Sequence, residues 1–284
     1  MAHDGEPVDR WRNDDDDTPV PVGVDPTTPS PARMYDYYLG GKTNYAADRT
    51  AAERALSVVP SGRQLARANR YFLMRAVLLM ADQGISQFID LGTGIPTSPN
   101  VHELARAIHP AARVLYVDND TIVATHSRAL LATSDGVQAL QADIREPASI
   151  LASRELAALI DFSRPVGVLF IAVLHFIEDR DQPHGIVRAF ASHMVPGSYL
   201  ALSHITSDGT NPVVMSAIRD AYATASAPAV FRTEAGVRDF FSGFELHDPG
   251  LAEVSRWSPY SAAFSSEPAS VRFLAGIGQK IQPT

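Results

Sequence analysis

Residues 88–97 decide the fold of this chain; they read Phe-Ile-Asp-Leu-Gly-Thr-Gly-Ile-Pro-Thr, a buried strand that runs into a tight glycine turn. Glycine adopts backbone dihedrals that are closed to other residues and lets a ligand approach the backbone, which is the use we assign to Gly92 and Gly94. A second strand, residues 114–118, follows and ends at Asp118. A carboxylate at the tip of that strand suits a ribose, since it accepts hydrogen bonds from both hydroxyls of the diol. The pattern therefore predicts a site for a nucleoside-bearing cofactor.

The form of the glycine turn favours S-adenosylmethionine over a dinucleotide. The third glycine of a dinucleotide fingerprint lets a helix pack beside the pyrophosphate. Here that position is Thr97, flanked by Pro96 and Pro99, so the turn is wide and stiff. Asp90 lies just before the first glycine. A carboxylate at this position suits the amino group of a methionine moiety and would repel a pyrophosphate.

A further acid-ended strand, residues 140–144, supports the same cofactor. Asp143 is placed to accept a hydrogen bond from an adenine amino group, and Ile144 is placed to pack on the ring. Two alternatives stay open. One is a nicotinamide-dependent reductase with the same layout, which would have no use for Asp90 and Asp143. The other is a non-catalytic protein that senses S-adenosylmethionine or its product.

The composition is that of an ordinary globular protein. At 284 residues, with 45% hydrophobic and 20% charged residues, the chain can form one large α/β domain. A net charge of −8 disfavours nucleic acid as a partner, since phosphates call for a basic face. The chain has no cysteine, which excludes disulfides, thiolate metal sites and a cysteine nucleophile; we expect no metal. An acidic N-terminus and the lack of a run of about 20 apolar residues predict a cytoplasmic protein with no membrane partner.

The chain divides into an N-terminal tail and a long alternating region. Residues 1–30 are rich in aspartate and proline and are predicted to be disordered. A polar and aromatic stretch begins at residue 31, and amphipathic patterns predict helices over 46–58 and 62–83. Strands are predicted at 86–91, 113–117, 137–141, 166–174 and 198–204, with helices at 100–109, 120–132, 147–159, 183–194, 211–225 and 233–241. A closing pair of strands at 244–246 and 271–277 is predicted to be antiparallel. The alternation indicates a doubly wound parallel sheet of the α/β class.

Several motifs together resemble a known family. The longest is Tyr-Asp-Tyr-Tyr-Leu-Gly-Gly-Lys-Thr-Asn-Tyr-Ala-Ala-Asp-Arg at residues 35–49; others lie at 66–70, 90–94, 100–103, 116–120, 141–143 and 172–176. With them the chain resembles class I S-adenosylmethionine-dependent methyltransferases and, more narrowly, an actinobacterial family long classed as a domain of unknown function. The resemblance covers about residues 30–280. The glycine turn alone is moderately specific, whereas the tyrosine–glycine motif with the later histidine is highly specific.

The resemblance implies a Rossmann-like sheet of seven strands with the last pair antiparallel. Residues 31–84 would form an N-terminal helical lid, and residues 85–284 the methyltransferase domain. Carried over position by position, the cofactor residues are Asp90, Gly92 and Gly94 for the methionine part, Asp118 and Asn119 for the ribose, Asp143 and Ile144 for the adenine, and Ala172, Tyr35, Gly41 and Asn44 around them. Pro99 departs from the family, where glycine is common. Some related enzymes methylate the indole rings of tryptophan-containing cyclic dipeptides, which implies a small-molecule acceptor from secondary metabolism.

Two histidines and a tyrosine are the candidates for catalysis. His175 lies at the tip of the central strand and His204 at the tip of the next, where either can act as a base or orient the acceptor, since histidine has an ordinary pKa of about 6.5. Tyr38, with Tyr35, can form an aromatic wall that attracts a sulfonium by cation–π interaction. The structural alternatives are a core histidine and a packed helix face.

The sequence also excludes one class of acceptor. Residues 172–175 read Ala-Val-Leu-His, which is not the Asp/Asn-Pro-Pro-aromatic signature of enzymes that methylate the exocyclic amines of DNA bases. The identity of the acceptor, the atom that is methylated and the oligomeric state do not follow from the sequence.

Overall fold

The computed structural model describes residue 20 and residues 24–131, 135–257 and 271–282. The helices, in chain order, are α1 (Pro31–Leu39), α2 (Ala46–Val58), α3 (Gly62–Asp82), α4 (Val101–Arg106), α5 (Thr121–Leu131), α6 (Pro147–Leu151), α7 (Arg154–Leu159), α8 (Pro183–Ala191), α9 (Pro212–Tyr222) and α10 (Glu234–Arg238). The strands are β1 (Gln87–Leu91), β2 (Arg113–Asp118), β3 (Val137–Gln141), β4 (Gly167–Ile171), β5 (Tyr199–Thr206), β6 (Phe244–Leu246), β7 (Ala252–Glu253) and β8 (Arg272–Lys280).

Within the described residues the strands form one sheet in the order β3-β2-β1-β4-β5-β8-β6. The two-residue strand β7 also pairs with β8 but is not part of this order. Strands β1 to β5 are parallel, and β8 runs antiparallel to both β5 and β6. All seven predicted strands are present, and the antiparallel closing pair is confirmed; β7 is an addition. The strand order reverses between β1 and β4, which is where doubly wound sheets bind ligands.

The centre of the sheet is buried on both faces. Every residue of β1 and of β4 is buried, as their continuous apolar runs predict. On one face α3 and α4 cover the sheet, and Phe72 meets Trp257 edge-on at 5.4 Å. On the other face α6, α7 and α8 cover it, and Phe170 meets Phe190 at 5.9 Å. The two apolar layers fix the carboxyl edges of β1, β2 and β4 at one rim of the sheet.

Helices α1, α2 and α9 form a third apolar cluster above that rim, around Met34 and Tyr38. The predicted helices 46–58 and 62–83 are confirmed to within one residue. Helix α1, in contrast, lies in a stretch that the sequence pattern marks only as polar and aromatic. It begins at Pro31, whose fixed φ suits a first helical turn, and it ends at Gly40 with φ 88°. Its bounds do not follow from an amphipathic pattern, because its buried Arg33 and Asp36 are polar and bind partners in other segments.

Several other elements differ from their predicted lengths. The helix predicted over 147–159 is divided into α6 and α7, because the Ser153 hydroxyl accepts a hydrogen bond from Leu156 N (3.2 Å) and starts a new helix. The helix predicted over 100–109 ends at Arg106. The strand predicted over 166–174 stops at Ile171, since Ala172 has φ 56° and turns the chain out of the sheet.

The N-terminal segment predicted to be disordered lies mostly outside the described residues. Residues 24–30, which are described, run along the rim: Ser226 N donates to Pro29 O at 2.8 Å, and Arg33 donates to Thr28 O. Among the described helices, none has the length and apolar character needed to cross a membrane.

Candidate cofactor and acceptor site

A cavity of about 480 Å³ opens at the carboxyl ends of β1, β2 and β4, within the range of ordinary ligand sites. We call it the charged cavity, because many ionisable side chains line it. Of the sequence-predicted cofactor residues it brings together Tyr35, Asp90, Gly92, Gly94, Asp118, Asn119, Asp143, Ile144 and Ala172. Residues 24–33 supply part of its wall from the lid side.

The glycine turn is shaped by two different constraints. At Gly92, with φ 72°, a Cβ would lie 2.3 Å from Val173 Cγ2, so the turn packs directly against the loop after β4. At Gly94, with φ 66°, a Cβ would meet nothing within 4 Å. The first glycine is therefore required by packing, and the second faces open space in which a ligand can approach the backbone.

Asp118 ends β2 with its carboxylate held by the backbone. Gly94 N donates to Oδ2 and Asp120 N donates to Oδ1, each at 2.9 Å. Burial raises the pKa of Asp118 to about 6, although these two hydrogen bonds oppose the rise. No cationic side chain of the described residues pairs with it. Each oxygen keeps a free lone pair, so the carboxylate can accept two hydroxyl hydrogen bonds, as a ribose diol requires.

Asp90 lies on β1, at the inner end of the same cavity. Thr93 Oγ1 donates to Asp90 Oδ2 at 2.8 Å. Burial raises the pKa of Asp90 to about 6, against the effects of the Thr93 hydrogen bond and of the Arg70 charge. Arg70, on α3, also lines the cavity and donates to the carbonyls of Thr97 and Pro99. The site therefore holds an anion for an ammonium group and a cation for a carboxylate, the two charges of a methionine moiety.

Asp143 and Ile144 follow β3 at the outer end of the cavity. Arg145 Nε donates to both Asp143 oxygens at 3.0 Å. Burial alone would raise the pKa of Asp143, but the Arg145 hydrogen bonds outweigh it, and the pKa lies below its usual value. Ile144 is buried and offers an apolar surface beside this ion pair. The ion pair with Arg145 is a feature that sequence reasoning missed.

A chain of hydrogen bonds joins the end of β4 to helices α3 and α1. Ala172 N donates to Ser203 Oγ (2.9 Å), which donates to Asn69 Oδ1 (2.6 Å). Asn69 Nδ2 then donates to the Tyr35 hydroxyl (2.9 Å), which donates to Ala66 O. These bonds stabilise the unusual dihedral of Ala172 and fix Tyr35 beside it. The sequence analysis did not identify Asn69 and Ser203 as site residues. The available signal was Asn69, an amide side chain on the apolar face of α3.

Gly41 and Asn44 lie elsewhere than predicted, since neither lines a described cavity. Asn44 Nδ2 donates to Asp36 Oδ2 at 2.8 Å, and Thr43 N donates to the same oxygen at 2.9 Å. A Cβ on Gly41 would lie 2.0 Å from Asp36 Oδ1. These motif residues fold the turn after α1 around the Asp36 carboxylate.

A second cavity, of about 110 Å³, adjoins the charged cavity and shares Pro31, Tyr35, Ala172 and Phe176 with it. We call it the apolar cavity. Its lining has no charged side chain and consists of Pro31, Tyr35, Tyr38, Ala55, Leu56, Val59, Gly62, Leu65, Ala66, Ala172, His175, Phe176, Ile205, Ile218, Tyr222, Ala229, Val271 and Phe273. The predicted catalytic residues Tyr38 and His175 thus lie together, and the Tyr38 and Tyr222 hydroxyls are 3.2 Å apart.

The two candidate histidines have different surroundings. His175 lines the apolar cavity, whereas His204 is fully buried and lines neither cavity. His204 Nδ1 lies 2.6 Å from Ile205 O, and Nε2 lies 2.8 Å from Arg232. Since a guanidinium only donates, Nε2 accepts and Nδ1 carries the proton. Burial lowers the pKa of His204 to about 3, so the placement of this ring differs from that expected of a base facing the acceptor.

Arg232, which sequence reasoning missed, holds the loop that carries His175. Its guanidinium donates to Leu174 O (2.9 Å) and Ile177 O (2.8 Å), on either side of the histidine. Burial, together with the charge of Arg232, keeps the pKa of His175 well below its usual value. His175 is therefore neutral at physiological pH.

Comparison with known proteins bears on this site. The model of a family described as S-adenosyl methyltransferase matches residues 17–281. The structure is similar to that of a DUF574 family protein from Streptomyces avermitilis, with 39% identity, a TM-score of 0.84, and 89% of this chain and 98% of that chain covered. It is also similar to a protein from Thermobifida fusca classed as a candidate methyltransferase, with 35% identity, a TM-score of 0.83, and coverage of 95% and 99%.

A more distant likeness concerns the fold alone. The plantazolicin methyltransferase BamL, solved in complex with a substrate analogue and S-adenosylhomocysteine, has a TM-score of 0.52 at 8% identity, with 88% of this chain and 95% of that chain covered. Comparison with curated proteins finds no match. The family match indicates S-adenosylmethionine as the cofactor, not a nicotinamide dinucleotide.

Proposed function

The chain belongs to the S-adenosyl methyltransferase family, and from this premise we propose that it methylates a small-molecule metabolite that enters the apolar cavity. The observation that carries the proposal is the wall common to the two cavities. Ala172, Phe176 and Tyr35 face both of them, so a cofactor in the charged cavity and an acceptor in the apolar cavity meet there.

The charged cavity fits S-adenosylmethionine residue by residue. Asp118 holds the ribose hydroxyls, because its buried carboxylate has free lone pairs and no cationic partner. Asp90 and Arg70 bind the ammonium and carboxylate groups of the methionine moiety. Ile144 packs on the adenine, with Asp143 and Asn119 at its edge. The open space beside Gly94 lets the cofactor lie against the backbone.

The protein's own contribution to the reaction is positioning in a closed, dry site. S-adenosylmethionine supplies an activated methyl group on a sulfonium. The rings of Tyr35 and Phe176 line both cavities and stabilise positive charge at their common wall by cation–π interaction. Lid helices α1 and α2 exclude water from the acceptor side, and His175 is the polar side chain nearest the acceptor on the β4 loop.

The aromatic lining of the apolar cavity supports a ring-containing acceptor. An indole-containing natural product such as a cyclic dipeptide is the acceptor class that we propose, in the setting of secondary metabolism in the cytoplasm. Nucleic acid is disfavoured by the net charge of −8. A large polymer would also have to enter a cavity of only about 110 Å³.

The test is calorimetry with S-adenosylmethionine, S-adenosylhomocysteine and NADH, followed by a mass-spectrometric screen for methylated products with indole metabolites first. Binding of both sulfur compounds, no binding of NADH, and a product heavier by one methylene would support the proposal. Binding without turnover on any metabolite pool would favour a non-catalytic sensor. Failure to bind either sulfur compound would overturn the assignment of the charged cavity.

A further inference from the structure

The apolar cavity contains a buried polar group without a partner. His175 is only 5% exposed, yet no hydrogen bond links either of its ring nitrogens to another described residue, and Nδ1 is wholly occluded. Buried polar side-chain atoms nearly always have a hydrogen-bond partner, and an unmet one costs about 1–3 kcal/mol. A neutral imidazole has one nitrogen that donates and one that accepts. The occluded Nδ1 is closed to a ligand, so Nε2, which also has no partner among the described residues, is the atom available to hydrogen-bond a group that is not part of the protein.

Aromatic rings hold His175 in place. Its ring lies 4.4 Å from that of Phe176 and 5.6 Å from that of Phe273, both of which line the same cavity. The backbone is fixed as well, since Val230 N donates to His175 O at 2.8 Å and Arg232 binds the carbonyls on either side. A histidine fixed in this way cannot turn elsewhere to find a partner without disturbing the loop.

A second polar feature lies on the lid side of the cavity. The Tyr38 and Tyr222 hydroxyls are 3.2 Å apart, and one of them donates to the other. The described residues provide no acceptor for the second phenolic hydrogen, which leaves one donor to spare. Phe176 connects the two polar features, because its ring lies 5.5 Å from that of Tyr222 and also packs on His175.

The charge of the two cavities differs sharply. Asp90, Asp118 and Arg70 are among the charged groups of the charged cavity, whereas the apolar cavity has none. Burying an unpaired ammonium or carboxylate costs several kcal/mol. An alkylammonium or a carboxylate is therefore excluded from the apolar cavity. The apolar cavity, at about 110 Å³, is smaller than the engineered apolar cavities of about 150 Å³ that hold benzene, so it has room for at most one ring.

Building on the methyltransferase function proposed above, we propose that the acceptor enters as an uncharged aromatic ring whose hydroxyl or ring N–H group hydrogen-bonds to His175. The donor of the Tyr38–Tyr222 pair is available to a second polar atom of the ring. His175 thus selects the acceptor by hydrogen bonding, and the lack of charge in the lining rejects amines and acids of the same size. The remainder of a larger acceptor stays outside the apolar cavity.

The experiment uses three probes of similar size on the full chain saturated with S-adenosylhomocysteine: phenol, toluene and benzylamine, the last being charged at pH 7.5. Dissociation constants are measured by ligand-detected NMR. We expect phenol to bind most tightly, although toluene is the more apolar ring. We expect His175→Phe to weaken phenol at least fivefold relative to toluene. Ala55→Leu, which fills the cavity from α2, should abolish binding of every ring that the wild type binds.

The affinity for S-adenosylhomocysteine, measured first on each variant, separates the possible failures. If the wild type does not bind S-adenosylhomocysteine, the proposed function is refuted. A variant that binds S-adenosylhomocysteine as tightly as the wild type is folded. If toluene binds as well as phenol, or if His175→Phe leaves their ratio unchanged, the role of His175 is refuted. Binding of benzylamine as tight as that of phenol refutes the selection for neutral rings. The variant His175→Gln retains a hydrogen-bond acceptor and a donor, so it should keep part of the preference for phenol over toluene that His175→Phe loses.

Discussion

The ribose assignment of Asp118 makes the affinity for S-adenosylhomocysteine depend on pH. The carboxylate accepts from hydroxyls in its ionised form, and burial raises its pKa to about 6. Lowering the pH from 7 to 5 therefore protonates the group in the free protein and removes its capacity to accept both hydroxyls. Binding at pH 5 then requires the carboxyl to lose a proton, which opposes the association.

The magnitude follows from that pKa. At pH 7 about nine tenths of the Asp118 carboxyls are ionised, and at pH 5 about one tenth, so the affinity falls about tenfold. Asp90, whose pKa is also about 6, adds up to a further tenfold if it binds the ammonium group. In the Asp118→Asn variant the affinity at pH 7 should be lower by about 1.5–3 kcal/mol, the range for hydrogen bonds to charged groups. Its further fall toward pH 5 should be about tenfold smaller than that of the wild type.

The assay is isothermal calorimetry at pH 7, 6 and 5, in buffers of different ionisation enthalpy so that proton release is measured directly. Asp143→Asn is the matched control. The pKa of Asp143 lies below its usual value, so this variant should change the level of affinity and leave its pH dependence as in the wild type. An affinity of the wild type that is flat between pH 7 and 5, or an Asp118→Asn variant that keeps the wild-type slope, would refute the ribose assignment.

The remaining predictions concern packing and stability. Gly92→Ala should lower the midpoint of thermal unfolding more than Gly94→Ala. Both glycines have positive φ, but only a Cβ at residue 92 would meet Val173, at 2.3 Å. Equal losses in the two variants would contradict the packing argument. Gly94→Ala should instead fold and bind S-adenosylhomocysteine weakly in calorimetry. Asp48→Ala removes the carboxylate 2.8 Å from the buried Arg33 guanidinium and leaves it only the more distant Asp120, at 3.8 Å. It should cost about 3 kcal/mol in urea unfolding, against at most about 1 kcal/mol for Glu53→Ala on the exposed side of the same helix. The pKa of His204 is about 3 in the folded protein and 6.5 in its unperturbed state, so only the unfolded chain takes up a proton at this site as the pH falls from 7 to 5. The free energy of unfolding should therefore fall by about 2 kcal/mol through this group. Paired urea titrations of His204→Gln should not show this loss.

The sheet was predictable because its signals are local. A strand buried on both faces reads as a continuous apolar run, and a turn that needs positive φ reads as glycine, so β1, β4 and the turn at Gly92 follow from short stretches of sequence. The acids at the ends of β1 and β2 were predictable for a related reason. Parallel strands place their carboxyl ends at one rim, so Asp90 and Asp118 had to lie close together.

Elements that depend on distant partners were not predictable. The bounds of helix α1 were not predicted, because its buried Arg33 and Asp36 are satisfied by Asp48 and Asn44 from beyond the helix and leave no simple amphipathic pattern. The contact of Asn44 with Asp36, which holds the turn after α1, was not predictable for the same reason.

The sequence by itself therefore determined where the strands lie along the chain, the glycine turn and the acidic rim, since each is encoded by periodicity or by residues adjacent in the chain. Only the tertiary structure decided which of the two candidate histidines lines the apolar cavity. His175 and His204 both end strands, but Arg232, from a segment after α9, binds His204 and leaves His175 without a partner beside the apolar cavity. That difference arises from side chains far apart in sequence that meet only when the chain has folded.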